Sequence, residues 1–278
     1  MKVKASGMER MFGMSPNGIR LYEKQGVIRP QREESGYRTY GVTELLAMGF
    51  GVQYRRYGFT LPQTASLMDG GDAAEQLSAL RARTDEMELE IERMMRERKS
   101  LKTQIARAEH AQRLMDACET DVKPAMYFLA TRRDEQFVCG DADALIGGWV
   151  ERYAPHLSAA LLLDGPYMTR EDFDRTPLSG AAVDAEVALE LGLMPSQHMT
   201  YLPPKRCVVT GVRMEDAHAD LSGPVARVRG YAQAQGIGLQ GGGMIRWLQC
   251  LREGDTLVTT GLLYAPLLED EARAGEMK

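Results

Sequence analysis

The chain has 278 residues, of which 44% are hydrophobic and 26% are charged, a composition typical of a soluble globular protein with two or three domains. It shows neither a basic and apolar leader nor a run of about 18 apolar residues, so we expect no export, no membrane partner and a cytoplasmic location. The four cysteines lie far apart without a metal-ligand spacing, and we expect reduced thiols and no metal or cofactor. They are Cys118, Cys139, Cys207 and Cys250.

The net charge of −5 is unevenly distributed along the chain. Residues 1–70 contain ten Lys or Arg against six Asp or Glu, and residues 71–123 contain ten against twelve. From residue 124 onward the count is fourteen against twenty-one. A basic N-terminal part beside an acidic remainder favours contact between the N-terminal part and a polyanion.

Two short helices separated by a glycine are predicted near the start of the chain. Residues 6–12 form an amphipathic segment that ends at Gly13. Ser15 and Pro16 then indicate a new helix, because the serine hydroxyl accepts from a free amide and the proline has no amide to leave unpaired. A helix, a glycine turn and a second helix within about twenty residues is the helix-turn-helix arrangement.

The second of these helices has one apolar and one polar side. Ile19 and Tyr22 are placed to face inward, while Asn17, Arg20 and Lys24 face outward. Outward arginine and asparagine side chains are suited to base edges and phosphates.

Basic and aromatic residues surround Gly36 in the stretch 29–40, which predicts a β-hairpin loop, or wing. Such side chains can grip phosphates, although a hairpin that simply packs its tyrosines remains an alternative. Two more helices are predicted at 42–57 and 61–68, with Thr60 capping the second. Arg55 and Arg56 end the first of them.

The stretch 72–118 predicts a long helix without glycine or proline. Apolar residues, and a few polar ones that a coiled-coil seam can accommodate, recur there at alternating steps of three and four positions. This spacing is typical of a coiled coil. At 1.5 Å per residue the helix would be about 70 Å long, so we expect pairing with a second chain rather than a long solvated helix. The stripe consists of Leu77, Leu80, Thr84, Met87, Ile91, Met94, Arg98, Leu101, Ile105, Ala108, Gln112 and Met115.

The run IRLYEKQGVIRPQREESGYRTY at 19–40, followed by RRYGFTLPQTASLM at 55–68, resembles the winged helix-turn-helix of MerR-family transcription regulators. The resemblance implies that the second helix and the wing contact double-stranded promoter DNA, and that an antiparallel coiled coil of a homodimer follows residue 71. It also implies activation by bending and untwisting a promoter spacer so that RNA polymerase engages both promoter elements. The candidate DNA contacts are Ser15, Asn17, Arg20, Tyr22, Arg32, Arg38, Tyr40, Arg55 and Arg56.

The C-terminal part predicts a repeated order of strand, helix, strand and strand. The first copy has a strand at 125–132, a helix at 141–156 and strands at 158–163 and 180–191, and the second follows about 78 residues later. Its elements are predicted at 206–213, 221–235, 241–251 and 256–267. On the helices, Val150, Tyr153 and Ala154 are matched with Val228, Tyr231 and Ala232. Two such units side by side give a pseudo-twofold α+β domain.

This tandem resembles the GyrI-like effector-binding domain of multidrug-sensing regulators, in which a groove lined by aromatic residues takes small molecules. Cation-binding relatives have a glutamate in the last strand, whereas TTGLLYAP here is uncharged. Glu186, beside Asp184, is a possible substitute carboxylate, or part of a solvated strand face. The candidate effector contacts are Trp149, Tyr153, Glu186, Trp247 and Tyr264, although each of the four aromatic side chains could equally belong to the core.

The sequence therefore predicts a multidomain α+β protein that is a ligand-responsive, dimeric transcription regulator with a hydrophobic or aromatic effector. A hydrolase activity of the C-terminal domain is the alternative, although no GxSxG or HExxH motif supports it. The expected divisions are a winged helix-turn-helix at 1–71, a coiled-coil helix at 72–118, a linker at 119–123, an effector domain at 124–270 and a flexible tail at 271–278.

Overall fold

The computed structural model describes residues 2–34, 36–69, 72–134, 136–138, 141–171, 176–193, 198–215 and 221–268. The chain forms two compact units, Met1–Arg93 and Met94–Lys278, so the predicted coiled-coil segment is divided between them. The predicted tail and Cys139 lie outside the described residues. No helix in the described part of the chain is long and apolar enough to cross a membrane.

The first unit combines short helices with a three-stranded antiparallel sheet. The strand order is β1-β3-β2, and the hairpin β2–β3 is the predicted wing. Met8, Ile19, Met48 and Leu61 from four successive helices are buried in one core. The elements are β1 Val3–Lys4, α1 Ala5–Phe12, α2 Pro16–Lys24, β2 Gln31–Arg32, β3 Arg38–Tyr40, α3 Val42–Arg56 and α4 Leu61–Met68.

Local capping interactions set the ends of these helices. Gly13 ends α1 in the left-handed conformation, with φ of 63°, which glycine adopts without a steric penalty. The Ser15 hydroxyl accepts from the amide of Gly18 at 3.2 Å and starts α2. At the start of α4 the Thr60 hydroxyl accepts from the Gln63 amide at 3.4 Å, and the Gln63 side chain accepts from the Thr60 amide at 2.7 Å. The predicted helix starts are confirmed.

The long helix α5 spans Ala73–Arg113, so the helix ends before the predicted residue 118. At its end the amide of Gly211 donates to the Leu114 carbonyl at 2.9 Å, and the Thr210 hydroxyl donates to the Ala117 carbonyl at 2.7 Å. Donors from a neighbouring strand therefore satisfy carbonyls at the end of the helix, where intrahelical partners are missing.

The second unit is built on a nine-stranded sheet. Eight strands follow the order β4-β10-β12-β11-β7-β8-β5-β6, and β9 pairs with β5 beside them. A short 3-10 helix, Ala154–His156, extends α6. The elements are β4 Cys118–Lys123, β5 Met126–Arg133, β6 Gln136–Phe137, α6 Ala142–Tyr153, β7 Ser158–Leu163, β8 Leu178–Asp184, α7 Ala185–Glu190, β9 Met199–Leu202, β10 Lys205–Glu215, α8 Ser222–Gln235, β11 Gly243–Glu253 and β12 Thr256–Pro266.

The predicted order of strand, helix, strand and strand occurs twice in this unit. The three strands of the first copy are ordered β5-β8-β7 and those of the second β10-β12-β11, and the copies meet where β7 pairs antiparallel with β11. The predicted match between the helices is one residue out of register. Trp149 and Tyr153 are the buried pair on α6, as Val228 and Ala232 are on α8, whereas Val150 is 50% exposed.

Two predicted boundaries in this unit are wrong. The expected linker 119–123 belongs to strand β4, which pairs antiparallel with β10. The expected strand 180–191 ends at Asp184 and continues as helix α7. The sequence of α7, AEVALE, consists mostly of strong helix formers, and this preference prevailed over the alternating pattern.

Helices cover both faces of the second sheet. Val225 and Val228 of α8 pack on Val208, while Ala111 and Leu114 of the α5 region pack on Val209. Because successive residues of a strand point to opposite faces, α8 and the end of α5 lie on opposite sides of β10. The α5 contact is close, since a Cβ at position 211 would lie 2.4 Å from the Ala111 carbonyl oxygen.

We expect Gly211→Ala to lower the free energy of unfolding by about 1–3 kcal/mol, because the added methyl group pushes the end of α5 away from the sheet. Gly230→Ala on α8 is the matched control, since its methyl group would meet no atom within 4 Å and would raise stability by about 0.5–1 kcal/mol. Urea denaturation at one protein concentration measures both. Equal stabilities for the two variants would contradict the close contact at Gly211.

Candidate functional site

Helix α2 presents a polar face to solvent. Ile19 and Tyr22 keep only 1% and 7% of their surface exposed, so they fix the helix against the core of the first unit. Asn17, Arg20 and Lys24 are exposed on the other side. A guanidinium N–H of Arg20 donates to the Asn17 side-chain oxygen at 3.4 Å, so these two side chains lie next to each other on the helix surface.

The wing is tied to α2 through the carboxylate of Glu23. Arg38 donates to one Glu23 oxygen at 2.6 Å, and the Tyr40 hydroxyl makes a short hydrogen bond to the other. Tyr40 is fully buried, and burial together with the bond to Glu23 raises the pKa of its phenol to about 12. The phenol therefore stays neutral and donates at physiological pH.

The structure corrects two of the expected DNA contacts. The rings of Tyr22 and Tyr40 belong to the core of the first unit, so we assign both residues to packing. For Tyr22 this confirms the inward position predicted from the helix pattern and argues against the DNA contact that the resemblance implied. The wing tyrosine at the surface is instead Tyr37, which is 68% exposed. No alternating pattern in the sequence predicts this choice, because in β3 the successive residues Thr39 and Tyr40 are both buried.

The remaining expected contacts lie at the surface of the first unit. Ser15, Arg32 and Arg56 are exposed, and Arg38 is partly covered by its ion pair with Glu23. Arg55 is exposed as a residue, but its guanidinium donates to the Phe59 carbonyl at 2.6 Å and so also holds the turn after α3. Its availability to a ligand is lower than that of Arg56.

The expected effector contacts do not share one groove in the structure. Trp149 and Tyr153 are buried together in the core under α6, with their ring centroids 6.3 Å apart. Tyr264 is buried in the cluster that receives the end of α5, and Trp247 packs against the cluster under α8. The four aromatic side chains therefore belong to three clusters on two faces of the sheet.

Glu186 lies on α7 rather than on a strand, with its side chain 72% exposed. It accepts from the ammonium group of Lys99 at 2.7 Å, which also reaches Glu190 at 3.3 Å. Glu186 is therefore part of a surface ion pair, which agrees with the predicted alternative of a solvated position, although on a helix and not on a strand. The carboxylate that does enter the sheet is its neighbour Asp184.

Asp184 is held by two arginines, which we call the arginine–aspartate cluster: Arg107, Asp184 and Arg246. Arg107 on α5 donates to both carboxylate oxygens at 2.9 and 3.2 Å, and Arg246 in β11 donates to one of them at 2.6 Å and to the other at 3.5 Å. Burial would raise the pKa of Asp184, but the charges and hydrogen bonds of the two arginines hold it below its usual value. The carboxylate is therefore ionised.

Two further polar side chains lie near the cluster. Lys123 is 6% exposed and donates to the carbonyls of Pro124 and Pro203 at 3.0 and 2.9 Å, and burial lowers its pKa to about 8. Tyr264 is 3% exposed, and burial raises the pKa of its phenol. Sequence analysis missed this site because its members are far apart in the chain and follow no motif.

Comparison with known proteins finds relatives of the N-terminal part of the chain. A family model described as MerR family regulatory protein matches residues 8–40. The HTH-type transcriptional regulator CueR of Escherichia coli O157:H7 is 33% identical over 102 residues, which is 36% of this chain and 76% of the relative.

Among solved structures, the cryo-EM structure of the EcmrR–DNA complex in EcmrR-RPo covers 96% of this chain and 100% of that chain, with 13% identity and a TM-score of 0.36. A hydrolase from Listeria innocua covers 53% of this chain and 91% of that chain, with 10% identity and a TM-score of 0.33. Both likenesses are too distant to assign an activity.

We expect Glu23→Ala to lower the free energy of unfolding by about 1–3 kcal/mol, because the buried Tyr40 hydroxyl and the Arg38 guanidinium both lose their acceptor. Glu34→Ala, at an exposed position of the wing, is the matched control and should stay within about 0.5 kcal/mol of the parent protein. Chemical denaturation followed by circular dichroism gives both values. A Glu23→Ala protein as stable as the control would show that Glu23 does not secure the wing.

Proposed function

Because the chain belongs to the MerR family of regulatory proteins, we propose that it is a dimeric, effector-responsive transcription regulator that binds promoter DNA through its first unit. The observation that carries the proposal is the exposed polar face of α2. Asn17 and Arg20 lie side by side there, on a helix whose start is fixed by Ser15 and whose opposite face is buried. An arginine so placed can fork onto a guanine edge or a phosphate.

The wing supplies a second basic surface for the same ligand. Arg32 lies opposite Arg38 in the β2–β3 pairing, and Tyr37 is exposed near the turn of the hairpin. Contacts from such a loop go to the phosphate backbone and fix the register of the protein on DNA, while α2 reads the bases.

We also propose that α5 forms a homodimer. In one chain Leu77, Met87, Ile91, Met94 and Leu101 are between 40% and 61% exposed, although they follow the spacing of a coiled-coil seam. Burying a side chain of this size contributes roughly 1.5–3 kcal/mol, so a second copy gives the stripe the partner that it lacks within its own chain. The exposed part of the stripe ends where Ala108 packs into the sheet of its own unit.

The charges of α5 favour an antiparallel pair. Residues 85–92 contain five acidic and no basic side chains, and residues 93–102 contain five basic side chains and one acidic side chain. An antiparallel partner places each acidic block against the basic block of the other chain, whereas a parallel partner places like charges together. Charges beside a coiled-coil seam set the orientation of the partner in this way.

For the second unit we propose the role of a GyrI-like effector-binding domain. Supporting observations are the two copies of strand, helix, strand and strand joined across β7 and β11, and the packing of the end of α5 on the sheet. A ligand that alters this packing acts directly on the dimer helix. Binding would shift the dimer toward the form that distorts the promoter spacer, so that RNA polymerase engages both promoter elements. The alternative of a hydrolase gains no support, since Tyr153, Tyr264 and Glu186 lie apart.

We expect Arg20→Ala to weaken binding of the protein's own promoter DNA by about 1–3 kcal/mol per half-site, because a base or phosphate contact is lost. Arg252→Ala, which removes one exposed charge from the second unit, controls for the change in net charge and should bind as the parent does. Fluorescence anisotropy at fixed salt measures the affinities. Unchanged binding by Arg20→Ala would mean that α2 is not the recognition helix, and absence of sequence-specific binding by the parent protein would overturn the proposed function.

We expect Ile91→Asp to dissociate the dimer, because it places a carboxylate in the middle of the apolar seam of both helices and removes roughly 1.5–3 kcal/mol of burial from each. Glu88→Ala, at an exposed position outside the stripe, should leave the dimer intact. Light scattering coupled to size-exclusion chromatography gives the mass of each variant. A dimeric Ile91→Asp protein would place the dimer contact elsewhere.

A further inference from the structure

The arginine–aspartate cluster has more positive than negative charge in a largely buried place. Arg246 is 3% exposed and its Nε, which is also buried, has no hydrogen-bond partner. One carboxylate, Asp184, serves both Arg246 and Arg107. A buried guanidinium with an unused donor is costly, because its lost hydration is not fully replaced.

The neighbourhood adds to this excess of positive charge. Lys123 lies within electrostatic range of Arg246 and Asp184, and its ammonium group donates to the neutral carbonyl oxygens of Pro124, Leu202 and Pro203. Asp121 is the other carboxylate near Tyr264, but it is exposed on the edge strand β4. Three cationic side chains thus lie near one half-buried carboxylate, that of Asp184.

The cluster is also within reach of solvent. The side chains of Arg107 and Asp184 are 18% and 19% exposed, whereas that of Arg246 lies behind them at 3%. A small molecule that approaches Arg107 can therefore reach the deeper arginine by replacing one of the two contacts of Asp184. Bidentate binding of a carboxylate is what a guanidinium fork provides.

We propose that the effector of this protein is an organic anion whose carboxylate binds Arg246 and Arg107 in competition with Asp184. The inference rests on the proposed function and specifies that the effector is negatively charged. A buried glutamate would instead select a positively charged effector.

The position of Arg107 links this ligand to the dimer helix. Arg107 belongs to α5, and its ion pair with Asp184 is one of the polar contacts between that helix and the sheet. A carboxylate that takes the place of Asp184 changes this contact at the point where the helix joins the second unit. Anion binding is thereby coupled to the geometry of the dimer.

The first experiment compares matched probes on the full-length protein. Benzoate, cyclohexanecarboxylate and 1-naphthoate are each titrated by calorimetry beside the corresponding amide and amine, which share the apolar group but differ in charge. We expect at least one carboxylate to bind about tenfold or more tightly than its amide and amine, because charge-assisted hydrogen bonds to arginine are the stronger ones. Equal or tighter binding of the amides or amines, or binding by none of the carboxylates, overturns the proposal.

The second experiment uses variants of the cluster. Asp184→Asn removes the internal competitor at nearly constant volume, and we expect carboxylates to bind about tenfold more tightly. Arg246→Lys removes the guanidinium fork, and we expect it to weaken carboxylate binding about tenfold. Arg107→Lys replaces this variant in the experiment if Arg246→Lys does not fold. Asp164→Asn is the control, since Asp164 pairs with Arg133 at similar exposure elsewhere in the unit.

If the arginine–aspartate cluster only stabilises the fold, Asp184→Asn and Arg246→Lys both lower the melting temperature. Neither variant then changes the affinity for carboxylates relative to the control. That result overturns the proposal. Promoter binding by the parent protein, measured on the same preparation without probe, keeps the two conclusions separate. If the parent protein shows no sequence-specific DNA binding, the proposed function is contradicted. If it binds DNA specifically but shows no preference for carboxylates, only the proposal of an anionic effector is contradicted.

Discussion

The packing of the end of α5 on the second sheet is the contact on which the rest of this structure depends. Because Gly211 has no side chain, the helix approaches the strand closely enough for the Gly211 amide to donate to the Leu114 carbonyl. Ala111 and Leu114 bury their side chains on the same strand. The remainder of α5 keeps its apolar stripe exposed. One helix is therefore anchored to the sheet at its end and available to a partner along most of its length.

A single carboxylate has a comparable role in the first unit. Glu23 accepts from Arg38 and Tyr40 and so fixes the wing relative to α2. Exposed ion pairs contribute little to stability, but this one involves a fully buried tyrosine whose hydroxyl needs an acceptor. The two surfaces that we propose for DNA binding, α2 and the wing, are thus held in a fixed relation by Glu23.

The second unit shows how a repeated fold acquires a site that its repeats do not share. Asp184 ends β8 in the first copy and Arg246 lies in β11 of the second, and the antiparallel junction of β7 with β11 brings the copies together. Arg107 comes from α5, outside both copies. The charge at the centre of the domain thus comes from three segments, none of which carries a recognisable motif.

The sequence by itself determined the features that depend on near neighbours. Ser15, Thr60 and Gly13 act within one turn of helix, and the stripe of α5 repeats every few residues, so the helix starts and the long helix were predictable. Only the tertiary structure decided that Tyr40 is core, that 119–123 is an edge strand and that Glu186 lies on a helix. Those outcomes depend on which distant segment covers a residue, and local periodicity does not contain that information.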